Sequence, residues 1–130
     1  MPSATGTFEI TGMHEDPIGG PNDGPRLTRA GGTQRFSGDI VGDGIVEWLA
    51  CYVDGHARLV GLQRIDGTIG GNDGSFVIEA TSDYDGKQSS GTWRILNGTG
   101  SSDLAGIAGS GSFEAGGGPT VTYRLDYELG

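Results

Sequence analysis

Glycine recurs so often in this chain that a helical fold is excluded. It fills 27 of the 130 positions, and few stretches of ten residues lack one. Each glycine in a helix interior costs about 1 kcal/mol. The glycines follow no three-residue period, which excludes collagen. Apolar residues lie between them throughout, which excludes a wholly disordered chain. A β fold with glycine at its turns and bulges survives both exclusions.

The stretches between turn signals read as eight strands. The longest apolar one, Ile45 to Val53, is β-branched and aromatic and is bounded by Gly42-Asp43-Gly44 and Asp54-Gly55. Gly6 to Gly12 alternates with period two, and Thr33 to Ile40 is polar-rich. Ala57 to Ile69 is a long strand with an expected bend near Gly61 or Gly67. Ser75–Thr81, Thr92–Leu96, Gly111–Ala115 and Thr120–Leu129 complete the set. Asp54-Gly55 and Asp85-Gly86 supply residues that tolerate positive φ, as two-residue hairpins require. Consecutive hairpins make a meander, and eight strands are enough to close one into a small barrel around a single ligand. The expected fold is therefore all-β, a closed eight-stranded antiparallel barrel in one domain over residues 1–130. The Pro-rich segment Asp16–Pro25 is expected to loop over a barrel mouth, and Asn97–Asp103 to lead into a short turn at Leu104-Ala105-Gly106.

Composition narrows the partners. A formal charge of −9 argues against nucleic acid and anionic membrane surfaces. No apolar run nears the roughly 20 residues of a membrane-spanning helix. Met1–Thr5 shows neither a basic nor an apolar leader region, and the single Cys51 allows no internal disulfide; both predict a cytoplasmic protein. Two histidines and one cysteine predict no zinc site. Phosphate-loop, dinucleotide-loop and nucleophile-elbow motifs are absent from the sequence. Neither a metal nor a cofactor is expected.

Side chains alternate across a strand, and in Ile45–Val53 both faces are apolar. Ile45, Glu47, Leu49 and Cys51 share one; Val46, Trp48, Ala50 and Tyr52 share the other. One face is expected to line the barrel and the other to meet a partner subunit or a covering loop. Glu47 stands among apolar neighbours. A buried carboxylate is either paired or raised in pKa, so Glu47 is a candidate general acid or base, or else a structural partner of Arg35, Arg58 or Arg64. Counting back from Asp54-Gly55 pairs 53 with 56, 51 with 58 and 47 with 62. Glu47 then lies one step from Gln63, which a bulge would align. Glu79 reads as outward. Val121, Tyr123, Leu125, Tyr127 and Leu129 form an apolar stripe, which turns Tyr123 and Tyr127 inward. Trp93 and Phe8 read as core, and Cys51 as packing.

The runs Gly61-Leu62-Gln63-Arg64-Ile65-Asp66-Gly67-Thr68-Ile69-Gly70-Gly71 and Gly74-Ser75-Phe76-Val77 carry a resemblance, together with Gly91-Thr92-Trp93, Gly6-Thr7-Phe8-Glu9 and Gly98-Thr99-Gly100 to Ile107. Nearly the whole chain resembles a bacterial domain family of unknown function that is similar in fold to the allene oxide cyclase barrel. The resemblance implies the eight-stranded barrel and a homo-oligomer, and no particular reaction. The chain departs from the pattern at Gln63, where a Glu is expected, at Ala80, where a His is frequent, and at Met13, where an aromatic is usual.

The leading expectation is a barrel that binds a small hydrophobic or aromatic molecule against Trp48 or Trp93, Tyr123 and Tyr127, oriented by Glu47, Gln63 and Arg35. The resemblance extends this to a cofactor-free cyclase or isomerase that folds its substrate and excludes water. The competing expectation is a non-catalytic oligomeric protein whose lumen is filled by Phe8, Phe36, Phe76 and Trp93. A carbohydrate module is a third, and it requires exposed tryptophans.

Overall fold

The computed structural model describes residues 2–19, 24–116 and 118–130. Its strands are β1 (Ser3–Gly19), β2 (Arg26–Gly38), β3 (Ile40–Val53), β4 (His56–Ile69), β5 (Asn72–Tyr84), β6 (Ser89–Ile95), β7 (Ala108–Ala115) and β8 (Thr120–Glu128). Each pairs antiparallel with the next, and β8 returns to β1 to close the barrel. The closing ladder runs from Ser3↔Asp126 to Glu9↔Thr120. β8 starts there, so β1 beyond Glu9 pairs with β2 alone among the described residues. All eight expected strands are present, most of them longer than their apolar kernels. The expected loop at Asp16–Pro25 is corrected in part. β1 continues to Gly19 and β2 begins at Arg26, while residues 20–23 lie outside the described set.

The β3–β4 hairpin has the register counted from its turn: Val53↔His56, Cys51↔Arg58 and Glu47↔Leu62. Asp54 (φ 51°) and Gly55 (φ 81°) are both left-handed, the requirement of a type I′ turn whose twist matches the flanking strands. β4 runs without interruption through Gly61 and Gly67.

The strands differ in height. β1 to β5 have 13 to 17 residues, whereas β6 to β8 have 7 to 9. Call the end that carries Ile40, Ile69 and Ile95 the lower end. It is plugged by a 3-10 turn at Ser102–Leu104, whose Leu104 is 1% exposed and packs with Ile107 against the barrel core. Above the plug lie Ile65, Phe76, Ile78, Leu125 and Tyr127. An aromatic layer follows. Phe8 lies 5.0 Å from Phe36 and 5.8 Å from Trp93, and Trp93 stacks on Tyr123 at 5.5 Å. Offset aromatic contacts of this kind add to what burial alone contributes.

One irregularity matters for the upper end. Between Thr11↔Thr33 and His14↔Gly31, β1 advances one residue more than β2. Gly12, at φ 59°, accommodates the bulge. An extra residue exchanges the two faces of the strand. Below the bulge Ala4 and Phe8 face inward. Above it Glu15 opposes Ala30 of the inner face, and His14 turns outward.

Candidate functional site

The upper half of the lumen is hollow. A cavity of about 160 Å³ lies above the aromatic layer, with Phe8 and Trp93 among its lining residues. Its walls are mainly apolar, including Val46, Trp48, Leu59, Ala80 and Phe113. The polar groups are Gln34, Gln63, Ser82 and Ser89, and among the described residues no Asp, Glu, His, Lys or Arg lines it.

Strand alternation fixes this lining. On β3 the core residue Ile40 sets the even positions inward, and no register shift interrupts the ladder to β4. Val46 and Trp48 therefore line the lumen, while Ile45, Glu47, Leu49 and Cys51 form the outer wall. This corrects the expected role of Glu47 as a buried acid. Its side chain is 50% exposed, with His14 Nε2 at 3.2 Å and Arg29 Nε at 3.8 Å. The expected alignment with Gln63 also fails: Gln63 opposes Val46 and faces the cavity. Arg35 is corrected for the same reason. Gln34 and Phe36 take the inward positions of β2, so Arg35 points out and pairs with Asp43 at 3.0 Å.

Trp48 and Trp93 are where the binding expectation places them. Trp93 is 1% exposed and the half-buried Trp48 lines the lumen, so the two tryptophans do not form the exposed coplanar pair a carbohydrate module needs. Tyr123 and Tyr127 point inward as expected but do not line the cavity. The Tyr123 hydroxyl accepts a hydrogen bond from the Ile40 amide at 2.9 Å and donates one to the Ser37 carbonyl at 3.1 Å. Burial pushes its pKa above that of an ordinary tyrosine. Both rings belong to the packed lower half.

Two polar atoms of the barrel interior are buried without a partner among the described residues, Gln34 Oε1 and Trp93 Nε1. Gln34 Nε2 donates to Gln63 Oε1 at 2.6 Å, and each residue is 3% exposed.

A second polar group stands on the inner side of the upper rim. Tyr52 and Thr28 donate to Glu15 Oε2 at 2.7 and 2.8 Å, and the Arg26 guanidinium lies 5.1 Å from the centre of the Tyr52 ring. The Tyr52 hydrogen bond, then that from Thr28, holds the Glu15 carboxyl below its usual range. Burial, then Glu15, pushes the Tyr52 phenol up. Sequence reasoning missed this rim because Glu15 fell between the expected strand Gly6–Gly12 and the expected loop Asp16–Pro25, where no face was assigned. A bulge at Gly12, inferred from the sequence, would have turned Glu15 inward and found it. Gln34 was missed because Thr33–Ile40 was read as a polar strand without assigning its faces.

Among the described residues no cluster of three or more His, Cys, Asp or Glu could hold a metal ion, and no helix is long and apolar enough to cross a membrane.

The model of a family described as protein of unknown function (DUF3224) matches residues 4–127. A crystal structure of a protein with unknown function from the DUF3224 family, from Shewanella oneidensis MR-1, has the same fold, with a TM-score of 0.80 at 19% identity. That match covers 100% of this chain and 98% of the other. No curated protein matches the chain.

Proposed function

The chain belongs to the DUF3224 family, and on the geometry of its lumen we propose that it is a binding barrel for a small, uncharged, largely apolar molecule. The observation that carries this reading is the cavity of about 160 Å³ at the upper end, walled by apolar side chains and a few neutral polar ones. A dry apolar cavity of about 150 Å³ is large enough for benzene. The site as it stands suits one six-membered ring, with any further substituent passing out through the mouth. Charged ligands are disfavoured, because no ionisable side chain among the described residues of the lining would compensate their desolvation.

A cofactor-free cyclase or isomerase is the catalytic extension of this proposal, in keeping with the resemblance to the allene oxide cyclase barrel. Such an enzyme would act by confining its substrate and excluding water. The positions where the resemblance leads one to expect Glu and His, Gln63 and Ala80, both line the cavity. Their neutral occupants favour binding over proton transfer in this chain.

Toluene titration tests the reading through the emission of Trp48 and Trp93. Saturable quenching is expected in the wild type and its loss in Ala80→Phe, which fills the cavity. No saturable response in the wild type would favour the competing reading of a non-catalytic structural or interaction protein.

We also infer a homo-oligomer in which a second copy covers the outer face of β3 and β4. Ile45, Leu49, Val53, Val60 and Leu62 stand there, each between 45% and 60% exposed, and Leu49 lies opposite Val60. Contiguous exposed apolar side chains mark interaction surfaces. A second copy fits because charges on this face are already matched, Glu47 by Arg29 and Arg58 by Asp83 at 2.7 Å. The net charge of −9 is therefore not concentrated where two copies would meet. Sedimentation velocity is expected to show an oligomer that Leu49→Lys converts to monomer. A monomeric wild type overturns this inference.

A further inference from the structure

We infer that the amide pair Gln34–Gln63 selects the polar group of the bound molecule and that this group is a neutral carboxamide or lactam. The inference rests on the binding reading above and names the ligand class for the same cavity. Gln34 on β2 and Gln63 on β4 are separated by β3, and their side chains meet across it at Gly44. Gly44 opposes Gln34 in the register, and a Cβ at Gly44 would lie 2.6 Å from Gln34 Oε1. The missing side chain leaves room for the bridge from Gln34 Nε2 to Gln63 Oε1 at 2.6 Å.

That bridge does not use up the pair. A glutamine amide has two N–H donors and a carbonyl with two lone pairs. The Gln34 carbonyl has no partner, and the bridge leaves the NH2 group of Gln63 free of it. Reversing both amides reverses the bridge and still leaves one acceptor and one donor group. Both side chains are 3% exposed and line the cavity. Leaving the buried Gln34 carbonyl without a partner is costly, and the broad terminal torsion of glutamine lets both amides turn to meet a ligand.

The complementary ligand presents one donor and one acceptor bonded to the same carbon, as a carboxamide or lactam does. A hydrocarbon ring satisfies neither leftover group. A carboxylate offers acceptors only and brings a charge that none of the described lining residues balances. A site built on hydrogen bonds rejects the analogue that lacks them more strongly than a merely apolar pocket does.

Benzamide, toluene and benzoate share one ring and differ only in this group. Titrations of the full chain at pH 7, read by tryptophan emission and calorimetry, are expected to show benzamide binding about tenfold or more tightly than toluene, with benzoate the weakest. The double variant Gln34→Met, Gln63→Met keeps the cavity volume closely. It is expected to retain toluene binding and bring the benzamide-to-toluene ratio to within about twofold. Toluene binding with no preference for benzamide in the wild type overturns this inference and leaves the binding reading intact; an ordered water then satisfies the amides. Absence of binding by all three overturns both. The wild-type ratio decides the question even if the double variant does not fold.

Discussion

The two halves of this barrel are built from the same eight strands and filled in opposite ways. The lower half is packed with isoleucine, leucine and aromatic side chains over a 3-10 plug. The upper half keeps a cavity above Phe8 and Trp93. Side-chain size and wall height account for the difference. In the lower half the large side chains of Ile69 and Phe76 are fully buried in the core. In the upper half Ala80, Ala115 and Gly61 line positions that larger residues would fill. Empty volume is thus concentrated where the core is thinnest, and packing where it is thickest.

Truncation tests that contrast most severely. Phe76→Ala in the packed half is expected to cost about 3–5 kcal/mol, because neighbours on every side keep the resulting void open. Leu59→Ala, beside space that is already empty, is expected to cost about 1–2 kcal/mol, below the usual range for a leucine truncation in a packed core. Chemical denaturation of the two variants measures both. Equal losses would mean that the halves are packed alike.

Acid should loosen the rim next. Glu15 is held low by the Tyr52 and Thr28 hydroxyls. A carboxyl lowered in the folded chain favours folding above its ordinary value of 4.5 and loses that contribution as pH falls through the folded value. Thermal midpoints are therefore expected to decline below about pH 4.5, and Glu15→Gln to flatten part of that slope. Asp126 and Asp85, held low by Ser3 and by the Gln88 and Lys87 amides, maintain the remainder. An unaltered slope in the variant would remove Glu15 from the rim's acid response.

The smallest effect is expected at Glu47→Gln. Its ion pairs are half-exposed, so the loss should stay below about 1 kcal/mol, and toluene affinity should not change. A changed affinity would connect the outer wall to the lumen and blur the division into halves.

Strand count, closure and the β3–β4 register were legible because alternation and the Asp54-Gly55 turn are local signals. Val121, Tyr123, Leu125 and Tyr127 showed their inward face for the same reason. Ile45–Val53 did not, since apolar residues occupy both its sides and alternation cannot rank them. Only closure against β2 and β4 selects Val46 and Trp48 for the lumen, and with that choice Glu47 goes to water. Glu15 and His14 were illegible for a different reason. Their faces depend on one inserted residue at Gly12, and composition does not register an insertion. The amide pair spans three strands, so no single segment displays it.

Closure is incomplete in one respect, and it follows from β8 beginning opposite Glu9. From Ile10 onward, β1 offers backbone donors and acceptors on its outer flank that no neighbour takes up among the described residues. Such a free flank invites a foreign strand to add itself. Here the kink at Gly12, the acidic pair Glu15-Asp16 and the amide-less Pro17 are the deterrents that proteins use against that addition. The segment that shapes the mouth thus also protects the barrel from polymerising through this unsealed flank.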